Sequence, residues 1–133
     1  MKTMARSNLL RAQIEGLLED IKTQFSLSEV SYNHARDDKM YPHVTWEILS
    51  VDVSDFFRRD YTVDIDIYTY DDQPTALDIG DAVEDLLNAL NDPTNDILPT
   101  YFLVTRQSVE DTDTHIKHEV IRVQVQLYER GDS

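Results

Sequence analysis

The chain has 133 residues, with 26 Asp and Glu against 12 Lys and Arg, a formal net charge of −14 and 41% hydrophobic residues. That length suits a single domain over residues 1–133, and the apolar content is higher than a disordered chain carries. The charge argues against a protein that grips nucleic acid or an anionic membrane, because both tasks need a positive surface. With no cysteine, disulfides, thiolate nucleophiles and thiolate metal sites are excluded. No run approaches about 18 apolar residues, and no signal-length apolar stretch follows Lys2 and Arg6, so the expectation is a soluble chain that spans no membrane.

Ser7 is placed to cap a first helix from about Asn8 to Phe25. Leu10, Ile14, Leu17, Leu18, Ile21 and Phe25 recur at helical spacing and form one apolar stripe, with Glu15, Glu19 and Lys22 off it. Ser31 to Tyr41 is polar and aperiodic and is closed by Pro42, which reads as a long exposed loop. His43–Ser50 alternates with Val44, Trp46 and Ile48 on one face, giving a first strand. Val51 to Arg59 reads as a connection. A second strand follows from about Tyr61 to Thr69, with Tyr61, Val63, Ile65 and Ile67 facing one way and Thr62, Asp64, Asp66 and Tyr68 the other.

Asp71-Asp-Gln-Pro74 breaks that strand. Thr75 followed by Asp78 is a variant capping box that opens a second helix, whose stripe is Ala76, Ile79, Val83, Leu86, Leu87 and Leu90. Asp92-Pro93 ends it. A third strand covers Tyr101 to Thr105 or slightly more, Val109–Thr114 is a hairpin loop, and a fourth strand runs from Glu119 to Tyr128. Its inward set is Ile121, Val123, Val125 and Leu127. Residues 1–6 and 129–133 are expected to fray. The order α-β-β-α-β-β, with one apolar face per element, predicts an α+β fold: a four-stranded antiparallel or mixed sheet with both helices packed on one face. The other face is then polar, bearing Asp64, Asp66, Tyr68, Arg122 and Gln124.

Little in the chain marks chemistry. Asp64 and Asp66 share a strand face and are a conceivable cation pair, but alternation alone explains both, and Arg122 is a candidate partner. Asp111-Thr-Asp113 lacks the glycine and closing Glu of a calcium loop and reads as a turn. His115 and His118 point to opposite faces of a strand, and His34 and His43 are isolated, so locally bonded histidines are expected rather than a metal site. With only Gly16, Gly80 and Gly131, no phosphate loop or nucleophile elbow exists. The expectation is a protein that is not an enzyme, with no catalytic, metal or cofactor-binding residues.

Two features point to partners. Between Asp60 and Thr105 lie eleven carboxylates and not one Lys or Arg, on the best-patterned elements of the chain. Asp64, Asp66, Asp71, Asp72, Asp78, Asp81, Glu84 and Asp85 therefore form a candidate acidic surface or lumen lining. Just before it stands Phe56-Phe57-Arg58-Arg59, the residue types that interface centres favour. The same four residues also fit a second strand that begins earlier, with Phe57 joining Tyr61 and Val63 in the core.

The proline-opened strand Tyr41-Pro-His-Val-Thr-Trp-Glu-Ile48, the strand Tyr61–Thr69, the acidic turn, the helix Ile79–Leu90 and the closing strand pair carry a resemblance. In this order they resemble the tail terminator and tail-completion (head–tail joining) proteins of long-tailed bacteriophages, chiefly over Pro42–Leu90 with Glu119–Tyr128 in support. The resemblance implies a virion structural protein, assembled in the host cytoplasm, that forms a hexameric ring. Such a ring would cap the tail tube, meet the head connector and let DNA pass without binding it. It brings no catalytic residues. Other neck or tail adaptors, a tail assembly chaperone, and an acidic DNA-mimic inhibitor are the alternatives.

Overall fold

Strict alternation sets the centre of the sheet. In the computed structural model, which describes residues 6–33, 40–55, 58–92, 94 and 99–128, two 13-residue strands, β3 (Arg58–Tyr70) and β5 (Ile116–Tyr128), pair antiparallel along their whole length. Tyr61, Val63, Ile65 and Ile67 of β3 and Ile121, Val123, Val125 and Leu127 of β5 are buried on one side. β2 (His43–Asp55) pairs antiparallel with β3 and adds Val44 and Trp46 to the same side. β4 (Thr100–Val109) pairs antiparallel with β5. Each aliphatic side chain so buried contributes roughly 1.5–3 kcal/mol of transfer free energy, which makes this face the main source of stability.

Both helices cover that face. α1 (Arg6–Phe25) buries Leu10, Ile14, Leu17, Leu18 and Ile21, and α2 (Gln73–Leu90) buries Ala76, Ile79, Val83 and Leu87, all within one continuous core. α1 starts ahead of Ser7, so Ser7 is a helical residue and not the expected cap. The cap of α2 is Asp72, not Thr75: its carboxylate accepts from the Thr75 backbone N–H at 3.1 Å and from the Thr75 hydroxyl at 2.6 Å. Pro74 sits in the first turn, where a missing N–H costs nothing, and this pushes the start of the helix back ahead of it. At the far end the Asn91 side chain donates to the Tyr101 carbonyl at 3.0 Å and accepts from the Tyr101 N–H at 2.7 Å. Tyr101 Oη donates to Gln13 of α1 at 2.7 Å, so one residue ties β4 to both helices.

Among the described residues the sheet has five strands, not four, in the order β1-β2-β3-β5-β4. The extra strand is β1 (Glu29–Tyr32), which runs parallel to β2, so the sheet is mixed. It takes Ser31 and Tyr32 out of the expected 31–41 loop; residues 34–39 of that loop lie outside the described residues. Four residues, three half-buried and Tyr32 exposed, are too few for periodicity to mark, and what holds them is tertiary: the Tyr32 ring stands edge-on to Trp46 at 4.8 Å, and Asn33 N–H donates to the Trp46 carbonyl. The expected connection Val51–Arg59 is also largely strand, since β2 runs to Asp55 and β3 begins at Arg58. An irregularity between Ile48 and Ser50 shifts the register there, which interrupts the alternation that would have shown the strand in the sequence.

Candidate functional site: a carboxylate-bearing surface and two open sheet edges

The side of the sheet away from the helices is a ladder of charged and aromatic pairs. Asp64 and Arg122 are direct register partners, and the guanidinium grips the carboxylate in two hydrogen bonds of 2.8 and 3.0 Å. Asp66 lies 2.7 Å from His118 Nε2. The two carboxylates share this face, as strand alternation requires, but each is held by its own partner. Next along the strands, Tyr68 is stacked between His43 of β2 at 4.6 Å and His118 of β5 at 4.2 Å. Burial, reinforced by the Asp66 charge, pushes the Tyr68 hydroxyl up to about 12. At the rim Tyr70 stacks on His115 at 5.4 Å, and His115 Nδ1 lies 2.9 and 3.0 Å from the two oxygens of Asp71. Asp71 holds a left-handed backbone, φ 50°, at the turn into α2. Asp71 and Asp72 are thus committed to the β3–α2 junction.

The acidic face of α2 receives a cation from another strand. Arg106 of β4 donates to Asp81 and to Glu84, each at 2.6 Å, and to the Leu77 carbonyl at 2.9 Å. Its guanidinium also lies 3.9 Å from Glu119, a carboxylate that is almost fully buried and accepts from the Ser108 hydroxyl. Burial works against the Arg106 charge, and the hydrogen bonds from Asp81 and Glu84 outweigh it, so its pKa is raised. The close approach requires Gly80: a Cβ there would sit 2.7 Å from the Arg106 guanidinium. Asp78 and Asp85 remain exposed. Sequence order hid this arrangement, because Arg106 is the first residue beyond the stretch without cations.

Of the Phe56–Arg59 group, Phe56 and Phe57 lie outside the described residues. Arg58 and Arg59 belong to β3 and not to a loop. Arg58 grips Asp60 in two hydrogen bonds of 2.9 Å, and Arg59 donates to the Arg58 carbonyl at 3.1 Å. Asp111 and Asp113 build the β4–β5 turn, accepting from the N–H groups of Asp113 and His115. His43 Nδ1 lies 3.0 Å from the Met40 carbonyl, and His34 is outside the described residues. Among the described residues no group of three His, Asp or Glu side chains is placed to hold a metal ion, and no helix is long and apolar enough to cross a membrane.

Two clusters of exposed apolar side chains lie along the sheet edges. Leu49, Val51 and Val53 of β2 stand at one edge, and Phe102, Leu103 and Val104 of β4 at the other. A groove of about 340 Å3 between α2 and β4 is floored by Leu87, Tyr101, Leu103 and Val123, with Glu84 and Asp85 on its rim.

Fold and surface together define an α+β scaffold whose distinctive chemistry is charge pairing and exposed strand edges. No protein-family model matches the sequence, and no curated protein matches it. Among solved structures, the chain is similar over 95% of its length, and 99% of the other chain, to a protein in the virion of a native gene transfer agent particle, with a TM-score of 0.67 at 13% identity. It is also similar over 98% of its length, and 95% of the other chain, to the bacteriophage SPP1 gp17 protein, with a TM-score of 0.60 at 23% identity. At these identities the likeness is one of fold, and it extends from end to end.

Proposed function

We propose that this chain is a non-enzymatic virion protein of the head–tail joining type, a tail terminator or tail-completion protein located in the neck or tail of a phage-like particle. The observation that carries this reading is the end-to-end match of fold to two proteins, one from a gene transfer agent virion and one from a bacteriophage. Its partners are further copies of itself in a ring, expected to be a hexamer, together with tail-tube and head-connector proteins. DNA passes through the ring and is not held. A net charge of −14 on every copy supports this last point, because phosphate attraction dominates non-specific DNA binding.

The pairing seen on the surface sharpens which carboxylates serve that purpose. Asp64, Asp66, Asp81 and Glu84 each face a cation or histidine of the same chain. Asp78 and Asp85 on α2 are exposed and are the better lining candidates. The same pairing weighs against a DNA mimic, which needs its carboxylates free to imitate phosphates. Light scattering behind a sizing column tests the reading. It predicts a multiple of the 15.5 kDa chain consistent with a ring, and end views with a central hole. A protein that stays monomeric and ignores isolated tail tubes and connectors would refute it.

A further inference from the structure

The two open edges of the sheet overlap in height. β1 covers β2 only from His43 to Trp46, with the Tyr32 hydroxyl accepting from Ile48 N–H at 3.4 Å just beyond. From Leu49 to Asp55, β2 is an edge strand among the described residues, and β4 is the edge strand on the opposite side. The register links them: Ser50 pairs with Thr62, Thr62 with Gln124, and Gln124 with Phe102. Val51, Tyr61, Val125 and Tyr101 form the next row. The exposed apolar residues of the two edges thus overlap in height at Leu49–Val51 and Tyr101–Leu103, while Val53, linked through Arg59 to Leu127, lies one row beyond Thr100, and Val104 lies beyond Leu103 on the other side. They are not incidental: Leu49, Val51 and Val53 are 43%, 48% and 65% exposed, and Phe102, Leu103 and Val104 are 46%, 52% and 52% exposed. A monomer normally guards such edges with charge, proline or a covering element.

We propose that these edges are the two halves of one contact, in which Leu49–Val51 of one copy packs against Phe102 and Leu103 of the next. The proposal rests on the ring reading above and names the surfaces that build the ring. Three antiparallel pairings separate β2 from β4, so the two strands run in opposite directions. A second copy set alongside in the same orientation therefore presents β2 antiparallel to β4, with Leu49–Val51 at the level of Tyr101–Leu103. This contact is heterologous, one surface meeting a different one, which is the kind that repeats around a ring. Charge agrees with it. Arg59 pairs with Val53 and stands on the helix side of the β2–β3 hairpin, while Glu84 and Asp85 rim the groove on the helix side of β4. The neighbour's arginine arrives where this chain is acidic.

The test uses the full chain and three variants. Val51→Asp blocks one edge and Phe102→Asp the other. Both positions are exposed, and circular dichroism checks that each variant keeps its fold. In light scattering each is expected to stay monomeric under conditions where the wild-type chain assembles. Mixed together, they are expected to form a one-to-one dimer, through the intact β2 edge of the Phe102→Asp chain and the intact β4 edge of the Val51→Asp chain. The third variant, Ser50→Cys with Phe102→Cys, places the only cysteines of the chain in one shared row and is expected to give a ladder of disulfide-linked oligomers on mild oxidation. Single variants that assemble like wild type overturn the proposed contact and leave the ring reading intact, as does a mixture that stays monomeric. A wild-type chain that is monomeric at all concentrations, with no ladder from the cysteine variant, also overturns it. A failure of the ring reading itself shows separately, as no capture of the wild-type chain by tail-tube ends.

Discussion

Arg106 reaches from β4 to two carboxylates and a carbonyl of α2, and it lies beside the buried Glu119. Removing it leaves that group of acids without its central cation. Arg106→Ala is expected to destabilise the protein by about 1–3 kcal/mol in urea unfolding, and Arg106→Lys to recover only part, since an ammonium cannot span the fork. Gly80→Ala places a methyl group where the guanidinium lies and should reproduce much of the arginine loss without touching a charge. A second residue-scale consequence concerns pH. The hydrogen bond and charge of Asp71 raise the His115 pKa above its ordinary 6.5. A raised folded-state pKa stabilises fully below the unfolded value and fades as pH rises through the folded one. The contribution of this pair is therefore present at pH 6 and lost on the alkaline side of 6.5. Asp71→Asn, which tolerates the left-handed backbone, should bring the His115 titration seen by NMR back toward 6.5; an unchanged titration would contradict the pairing.

At the scale of elements, how legible each one was depends on what holds it. Both helices and the inward residues Val44, Trp46, Tyr61–Ile67 and Ile121–Leu127 fall where periodicity puts them, because one face of each element is buried against the same core. β1 was not legible, since four residues held by Trp46 and by pairing with β2 carry no period of their own. The outer half of β2 was missed because its apolar residues face solvent and a register shift breaks their alternation. The same cause hid the exposed edge: Val51 and Val53 fall in what reads as a connection, and Leu49, at the end of the expected first strand, shows no partner. Charge partners were only half legible. Arg122 was a candidate for Asp64 from strand pattern alone, whereas Arg106 on Asp81 and Glu84 depends on how α2 lies against β4. The misplaced cap of α2 gives a direct check. Asp72→Ala removes both bonds to Thr75 and should lower the melting temperature by about 4 °C, while Thr75→Val, which keeps the backbone N–H bond, should cost less. In the core, Ile65→Ala is expected to cost about 2–5 kcal/mol, as a cavity under both helices.

At the scale of the molecule, charge and shape pull against each other. A net charge of −14 repels further copies at low ionic strength, while apolar edges favour their association. Salt screens the first and leaves the second, with a screening length falling from about 30 Å at 0.01 M to about 10 Å at 0.1 M. Assembly should therefore strengthen, not weaken, as salt is raised, which is the reverse of what a partner held by ion pairs would show. Binding to duplex DNA should be absent even at low salt in a mobility-shift titration. The central claim is that this chain closes or joins the end of a tail tube, and the most direct measurement is electron microscopy of isolated tail tubes incubated with the tagged, labelled chain. The account predicts label at one end of each tube, with a ring bearing a central hole in end view. Label scattered along the tube walls, or none on tubes whose ends are open, would contradict it.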